Sequence, residues 1–319
     1  MRRQGQATSA WSRAWPLIKR VLTVGFLGLV LTLLVIQMRE VDWNEVSTSL
    51  QRYGVPALLL ALALAAASHV LYGLFDQIGR AYTGHRLPRL RVAAIAFVSY
   101  AFNLNMGALV GGVGFRYRLY SRYGLDGAAI TRVMGLSIAA NWLGYCVVAG
   151  TVFALGVVKL PPGWDVGSTG LRWIGCALLA AALAYLAACG FSTRRAWTVR
   201  GHEIALPTLR MALLQMLISS LNWMLIGALV YLLLHREVAY STVLAVFLIS
   251  AIAGVITHVP AGLGVIELVF ISLLGHALPR SELIAALLAY RAVYYLLPLA
   301  VALLVYLRLE AATRKSKPS

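Results

Sequence analysis

Apolar runs recur along almost the whole chain, and several are long enough to cross a lipid bilayer. They lie at 21–38, 55–75, 92–113, 127–158, 171–190, 207–234, 241–257, 262–276 and 283–307. A transmembrane helix needs about 20 apolar residues, and 12% of the 319 residues are charged, against about 25% in globular domains. The sequence therefore predicts a polytopic membrane protein with one transmembrane domain at 21–309, between a basic N-terminus at 1–20 and a basic tail at 310–319.

The positions of the arginines and lysines predict how these runs are oriented. The net charge of +17 could indicate a nucleic-acid partner, but the basic residues form short clusters between apolar runs, which is the positive-inside pattern. The basic termini are expected in the cytoplasm, the balanced loop 39–54 outside, and the arginine-rich loop 76–91 inside. We therefore expect a multi-pass protein of a bacterial inner membrane, with both termini cytoplasmic and no nucleic-acid partner.

The run 92–113 conflicts with this orientation. If it crossed the membrane, Arg116, Arg118 and Arg122 would share one short outer loop. The stretch YAFNLNMGALVGGVG also carries polar and helix-weakening residues that fit poorly in a lipid-facing helix. These are Asn103, Asn105, Gly107, Gly111, Gly112 and Gly114. A hairpin that enters from the cytoplasm and returns keeps the arginines inside, and unwound backbone is tolerated where protein surrounds it.

A second break lies in HVPAGLGVIE, where Pro260, Gly262 and Gly264 follow His258. Because the other runs alternate, the region 241–276 must begin and end outside, so we expect a second hairpin with a short returning arm. The predicted fold class is an all-α polytopic membrane bundle of about eight transmembrane helices plus the re-entrant hairpin. Two broken hairpins of opposite orientation indicate an inverted-repeat transporter, although glycines also serve ordinary helix packing.

Charged residues inside apolar runs are candidates for function because they are costly at that depth. Glu267 and Arg291 are expected at similar depth, about 12–13 Å from the outer ends of their segments. They form either a structural lock between helices or a site where Arg291 exchanges Glu267 for a substrate phosphate. Arg116 and Arg118, in FRYRLYSRYG, either anchor an interfacial helix or bind lipid phosphate through the guanidinium fork.

The predicted substrate-binding residues are Arg116, Arg118, Glu267, Arg291, Asn103, Asn105 and Tyr294. The predicted hairpin-forming residues are Gly111, Gly112, Gly114, Pro260, Gly262 and Gly264. The sequence has no Walker A, HExxH, GxSxG or CxxC motif, and its three cysteines lack metal-ligand spacing. We expect no metal, no cofactor and no catalytic residue, so any uphill transport must draw on a gradient or a partner.

Three motifs occur in an order that resembles the membrane domain of the lysylphosphatidylglycerol synthases, the multiple peptide resistance factors. They are NLNMGALVGGVGFRYRLYSRYGL, HVPAGLGVIELVFISLL and YRAVYYLLPL. The chain is also similar to stand-alone inner-membrane relatives of the YbhN type, from the first apolar run to about Leu309. The resemblance implies a flippase, which in that family moves aminoacylated phosphatidylglycerol to the outer leaflet. It implicates Arg116, Arg118, Pro260, Gly262, Gly264, Glu267 and Arg291.

The chain departs from that family in two ways. Ala261 stands where the family often has glycine, and the soluble transferase domain is missing, so the lipid substrate does not follow from the synthases. We expect a translocase of anionic or aminoacylated phospholipid without its own ATPase. A lipid-modifying enzyme or a second copy of the chain is the candidate protein partner.

The alternative is a non-transporting scaffold, or accessory subunit, for a lipid-modifying enzyme. A lateral groove that reaches both hairpins would favour transport, whereas a closed apolar interior would favour the scaffold.

Overall fold

The computed structural model describes residues 43–161, 166–193, 196–199, 202–257 and 259–315, with isolated positions between 25 and 35. The first apolar run and His258 therefore lie outside the described residues. Residues Asn44–Ser319 form one compact unit, and the architecture below is that of this unit.

Long helices make up most of the described chain. They are α1 (Trp43–Gln51), α2 (Val55–Thr83), α3 (Arg89–Gly107), α4 (Phe115–Arg122), α5 (Gly127–Ala154), α6 (Gly167–Phe191), α7 (Leu209–Leu233), α8 (Tyr240–Thr257), α9 (Val265–Leu274), α10 (Arg280–Tyr290) and α11 (Leu297–Lys315). Wider π-helical turns, Ala108–Gly114 and Arg291–Leu296, join α3 to α4 and α10 to α11, and a 3-10 turn at Pro260–Gly262 precedes α9. The last helix continues across the predicted boundary at residue 309.

The prediction of an all-α chain needs one correction. Between α6 and α7, β1 (Ala196–Val199) pairs antiparallel with β2 (His202–Ala205), with Trp197 opposite Ile204. Two residues, Arg-Gly, separate the strands in the sequence, and two-residue loops that contain glycine are typical of β-hairpins. The sequence AWTVRGHEIA therefore indicates a β-hairpin, although the prediction for this loop rested only on its basic residues.

Seven helical stretches in the described residues are long and apolar enough to cross a membrane. They are Val55–Thr83, Arg89–Arg122, Gly127–Ala154, Gly167–Phe191, Leu209–Leu233, Tyr240–Thr257 and Arg280–Ala311. The apolar helix α9 has 10 residues, or about 15 Å of rise, which is too short for the hydrocarbon core. The predicted arm 262–276 is therefore not a full span.

The stretch Arg89–Arg122 is not one straight helix, because the chain folds back at Gly107, whose φ is +81°. The rings of Phe102 and Phe115 stack with centroids 4.0 Å apart, whereas 13 residues along a straight helix would separate them by about 20 Å. The guanidinium of Arg91 lies 4.9 Å from the ring centroid of Tyr123. Both arms of this first hairpin (89–122) therefore lie side by side.

The open end of the first hairpin lies where α2 ends. The side-chain amide of Gln77 donates to the carbonyl of Arg89 at 2.7 Å, and Asp76 contacts the returning arm. Helix α2 reaches this point because it continues to Thr83 and stops at Gly84, which has the left-handed conformation that ends many helices.

The second hairpin (240–274) turns through three residues with positive φ, Ala261, Gly262 and Gly264, at +55°, +58° and +76°. Its helices α8 and α9 pack against each other, and its turn contacts α3 of the first hairpin. Its open end lies where α2 begins, since Leu278 lines a small cavity together with Tyr53. The two hairpins thus start from opposite ends of α2, and the turn of the second reaches the first hairpin at α3.

The loop before α2 is fixed to α7 by one buried hydrogen bond. The hydroxyl of Tyr53 donates to the carbonyl of Leu233 at 2.7 Å. Burial raises the pKa of this hydroxyl to about 12, so it keeps its proton and remains a donor at neutral pH.

The close approach of the two arms in the first hairpin gives a testable prediction. A Cβ at Gly111 would lie 2.1 Å from the backbone nitrogen of Asn103, which cannot move as a side-chain tip could. Gly111→Ala should therefore destabilise the protein by about 1–3 kcal/mol or more, the range for overpacked cores. The measurement is the thermal unfolding midpoint of the purified protein in detergent.

Gly135→Ala is the matched control, because Gly135 lies in the helix α5 and a Cβ there meets nothing within 4 Å. This control should be neutral or slightly stabilising. Equal midpoints for the two variants would show that the arms do not touch.

Candidate functional site

Arg116 forms a buried ion pair with Asp76 of α2. Its Nε donates to Oδ2 at 3.1 Å and its Nη2 donates to Oδ1 at 3.1 Å, which is the bidentate geometry that a guanidinium prefers. The Arg116 and Asp76 side chains are 4% and 0% exposed. The Tyr120 hydroxyl donates to the same carboxylate at 2.9 Å, and Arg116 also donates to Ser137 Oγ at 3.2 Å. The pair therefore fastens the returning arm of the first hairpin to α2 and α5.

The helix α4 is therefore not simply interfacial, as the sequence had suggested. Tyr117 is 52% exposed, but its helix neighbours Arg116 and Tyr120 are buried in the protein. Arg118 donates to the Tyr306 hydroxyl and to Glu310, each at 3.0 Å, which connects α4 to α11. The two arginines that were predicted to bind lipid phosphate thus already hold carboxylates.

Arg291 pairs with Glu267, as their matched depth had predicted. Its Nε donates to Oε1 at 2.8 Å and its Nη2 donates to Oε2 at 3.1 Å. The same guanidinium donates to the carbonyls of Ala261 and Gly262 at 3.0 and 3.2 Å. One arginine therefore holds both the carboxylate and the unwound turn of the second hairpin.

Polar side chains also form a hydrogen-bonded chain in the interior. Tyr294 shares hydrogen bonds with Ser68 at 2.7 Å and with Tyr100 at 2.8 Å, and the Ser68 hydroxyl lies 2.6 Å from the Asn222 side-chain oxygen. This Tyr294 network connects α2, α3, α7 and the turn that carries Arg291. The hydrogen-bond partners of Tyr294 come from distant parts of the chain and were not predicted from the sequence.

The two predicted asparagines occupy different places in the first hairpin. Asn105 is buried and donates to the carbonyls of Ala101 and Tyr295, at 2.8 and 3.3 Å, so it connects the hairpin to the Arg291 turn. Asn103 is half-buried and faces Gly112, at which a Cβ would lie 3.1 Å from the Asn103 side-chain oxygen. Asn103 thus lies between the two arms of the first hairpin, and Asn105 lies between this hairpin and the Arg291 turn.

A lateral groove of about 540 Å³ runs along α2 from Leu62 to Gln77. It is bordered by Ala93 and Phe97 of α3 on one side and by four residues between Val293 and Val301 on the other. Fifteen residues of helix rise by about 22 Å, most of the thickness of a hydrocarbon core of about 30 Å.

The lateral groove is open to the surroundings of the helices, since Val70, Leu297 and Val301 on its rim are 65%, 48% and 43% exposed. It borders the first hairpin and the Arg291 turn, but none of its lining residues belongs to α8 or α9. Within the described residues, no group of three or more His, Cys, Asp or Glu side chains could hold a metal ion.

Asp76, Ser68 and His69 are not among the site residues predicted from the sequence. Each is buried, and each lies in or beside the run 55–75 that was interpreted as a plain span. Asp76 had been assigned to a loop, although an acid within reach of an apolar run is a functional signal by itself.

The exposure of the two ion-pair networks predicts different sensitivities to substitution. Asp76→Asn leaves Arg116 as a buried charge without its carboxylate, which should destabilise the protein by about 3–5 kcal/mol. Glu310→Gln acts on a partly exposed network with Arg118 and Arg122, so it should cost about 1 kcal/mol or less. Thermal unfolding in detergent should rank the two variants in this order, and the reverse order would contradict the role assigned to Asp76.

Comparison with known proteins agrees with the architecture. A family model described as "Lysylphosphatidylglycerol synthase TM region" matches residues 20–302. The inner membrane protein YbhN of Escherichia coli (strain K12) is 49% identical over 302 residues, which cover 94% of this chain and 95% of that protein. A Synechocystis sp. protein, "Uncharacterized protein slr0712", is 28% identical over 293 residues, covering 90% and 91%.

A phosphatidylglycerol lysyltransferase of Staphylococcus haemolyticus is 24% identical over 246 residues, which are 74% of this chain but 27% of that protein. The likeness to the lysyltransferase therefore concerns a part of that protein. Because the matched residues 20–302 include almost all of the helical region, this multi-pass inner-membrane protein belongs to the family of the lysylphosphatidylglycerol synthase transmembrane region.

Proposed function

We propose that this protein is a phospholipid translocase that moves anionic or aminoacylated phospholipid between leaflets without an ATPase of its own. The lateral groove carries the proposal, because its rim is exposed and it spans most of the depth of a membrane. It borders the first hairpin directly and the second only through the turn that carries Arg291. Acyl chains stay in lipid while the head group follows the groove. The membership in a family named for phosphatidylglycerol modification supports a phospholipid as the substrate.

The two hairpins supply the polar path in this proposal. The first enters the membrane from the cytoplasm and the second from outside, which is the arrangement of inverted-repeat transporters. Their open ends at opposite ends of α2, and the contact of the second turn with α3, support this orientation. Freed backbone groups are tolerated there because protein surrounds them.

Arg291 is the proposed ligand for the lipid phosphate. Its side chain is 10% exposed and that of Glu267 is 22% exposed, so this pair is more accessible than Arg116 with Asp76. A phosphate that displaces Glu267 can use the same bidentate geometry, while the two carbonyls keep the guanidinium in place. Tyr294, one helical turn from Arg291, and the two hairpin asparagines are the further polar side chains proposed for this site. Arg116 holds the first hairpin, and Arg118, whose side chain is 10% exposed, is the arginine of α4 that is proposed to meet lipid at the inner face.

A labelling experiment tests the orientation. Ser121 follows Arg118 in α4 and is exposed. A cysteine placed there, with the native cysteines replaced, should react only with maleimide that has crossed the membrane. Ala239, before α8 at the open end of the second hairpin, is the matched position, and a cysteine there should react from outside. Reaction of both positions from the same side would contradict the opposed hairpins.

A blocked groove tests the transport path. Gly73 lines the lateral groove, and a Cβ at this position meets nothing within 4 Å. Gly73→Leu should therefore fill the groove without disturbing the fold and should reduce lipid movement to the rate of protein-free liposomes. The measurement is the fraction of fluorescence that dithionite quenches, over time, in proteoliposomes that contain acyl-labelled phosphatidylglycerol.

Gly135→Leu is the control for this variant, since Gly135 is exposed on α5 and also has open space around it. It should match the wild type. Full activity of Gly73→Leu would exclude the groove as the path. A wild-type protein that moves no lipid would favour the alternative of a scaffold for a lipid-modifying enzyme.

A further inference from the structure

Among the described residues that line the lateral groove, His69 is the one with an ionisable side chain, and it is 5% exposed. It lies 14 residues from each end of the 29-residue helix α2, so it is about 21 Å from either end and close to mid-depth. An apolar residue would line a groove for acyl chains at this depth with less cost. A histidine there points to a polar ligand.

The hydrogen bonds of the ring define what kind of ligand it accepts. His69 Nδ1 lies 2.9 Å from the carbonyl oxygen of Ala65, one helical turn earlier. Because a carbonyl can only accept, Nδ1 carries the proton, and in the neutral ring Nε2 is then an acceptor. His69 Nε2 is buried and makes no hydrogen bond in the described part of the chain. Buried polar atoms are normally paired, so this acceptor calls for a donor.

Three aromatic rings pack around the ring of His69. The ring lies 4.9 Å from that of Tyr294 and 5.1 Å from that of Tyr100, measured between centroids. Both tyrosines are buried and belong to the Tyr294 network. Phe97 meets the ring edge-on at 5.7 Å and also lines the lateral groove. His69 and Phe97 both line the lateral groove, so the His69 ring belongs to the wall of the proposed path.

We propose that His69 is a mid-membrane contact for the lipid head group, and that it selects head groups bearing a hydrogen-bond donor. This inference rests on the proposed translocase function and adds a substrate class to it. Hydroxyl and ammonium groups, as in phosphatidylglycerol and phosphatidylethanolamine, donate to Nε2. The trimethylammonium of phosphatidylcholine has no N–H and cannot. An acyl chain offers no donor either, so the contact occurs while the head group crosses.

The test compares two lipids that differ in the donor but not in net charge. Purified protein is reconstituted in liposomes with acyl-labelled phosphatidylethanolamine or acyl-labelled phosphatidylcholine, and the rate of exchange between leaflets is measured for each. The wild type should move phosphatidylethanolamine faster by roughly two- to tenfold, the range that one net hydrogen bond supports. His69→Phe keeps an aromatic ring against Tyr294 but removes the acceptor, so the ratio should fall to about one.

Two further variants keep the test decisive. His69→Gln retains a hydrogen-bond acceptor and should keep part of the preference for phosphatidylethanolamine over phosphatidylcholine. This variant therefore tests the role of the acceptor even if His69→Phe does not fold. Gly135→Ala, on the exposed face of α5 and outside the groove, should leave the ratio unchanged. Because each variant is judged by the ratio of two lipids, the fraction of active protein does not affect the result.

The outcomes separate this inference from the function on which it rests. A wild-type protein that moves neither these two lipids nor acyl-labelled phosphatidylglycerol above the protein-free rate overturns the translocase proposal and the head-group contact with it. A wild-type protein that moves phosphatidylglycerol but neither of the two test lipids overturns the head-group contact alone. A wild-type protein that moves both lipids at the same rate overturns the head-group contact and leaves the translocase standing. A ratio that persists in His69→Phe overturns the assignment to His69.

Discussion

Each of the two broken hairpins is held by one arginine that binds a carboxylate and the unwound backbone together. Arg116 donates to Asp76 and, at 3.4 Å, to the carbonyl of Gly112. Arg291 donates to Glu267 and to the carbonyls of Ala261 and Gly262. Backbone groups freed by a break cannot be satisfied by lipid, so a guanidinium with five donors in a planar fork is well suited to the place. The tips of both hairpins depend on these contacts for their position.

The fold-back at Gly107 shows how local chemistry and packing act together. The glycine permits the positive φ of the turn, and Gly111 allows the arms to approach so closely that a Cβ would meet backbone. The stacked Phe102 and Phe115 rings then fill the space between the arms. The asparagines and glycines that made the run unsuitable as a lipid-facing helix are thus the residues that make it suitable as a hairpin.

Periodicity and charge predicted the positions of the breaks and the pairing of Glu267 with Arg291, because these features leave a local signal in the sequence. The partner of Arg116 left a weaker signal, since Asp76 follows the apolar run by one residue and was assigned to a loop. The C-terminal end of α2 at Gly84, in YTGHR, could have extended the helix through Asp76, because glycine commonly follows the last helical turn. The Tyr294 network and the groove along α2 depend on which helices pack against each other. A local sequence pattern does not specify helix neighbours, so neither feature could be predicted.

The two arginine sites differ in a way that bears on function. In the first, the hairpin carries the arginine and α2 carries the acid, and both side chains are almost fully covered, at 4% and 0% exposure. In the second, the hairpin carries the acid, and the pair retains 10% and 22% exposure. Exchange of a carboxylate for a phosphate requires that the incoming group reach the guanidinium before the old partner is lost, since an unpaired buried charge is costly. The partly exposed Glu267 meets this requirement better than the fully buried Asp76. The difference in exposure is the reason why Arg291, and not Arg116, is the proposed ligand for a lipid phosphate.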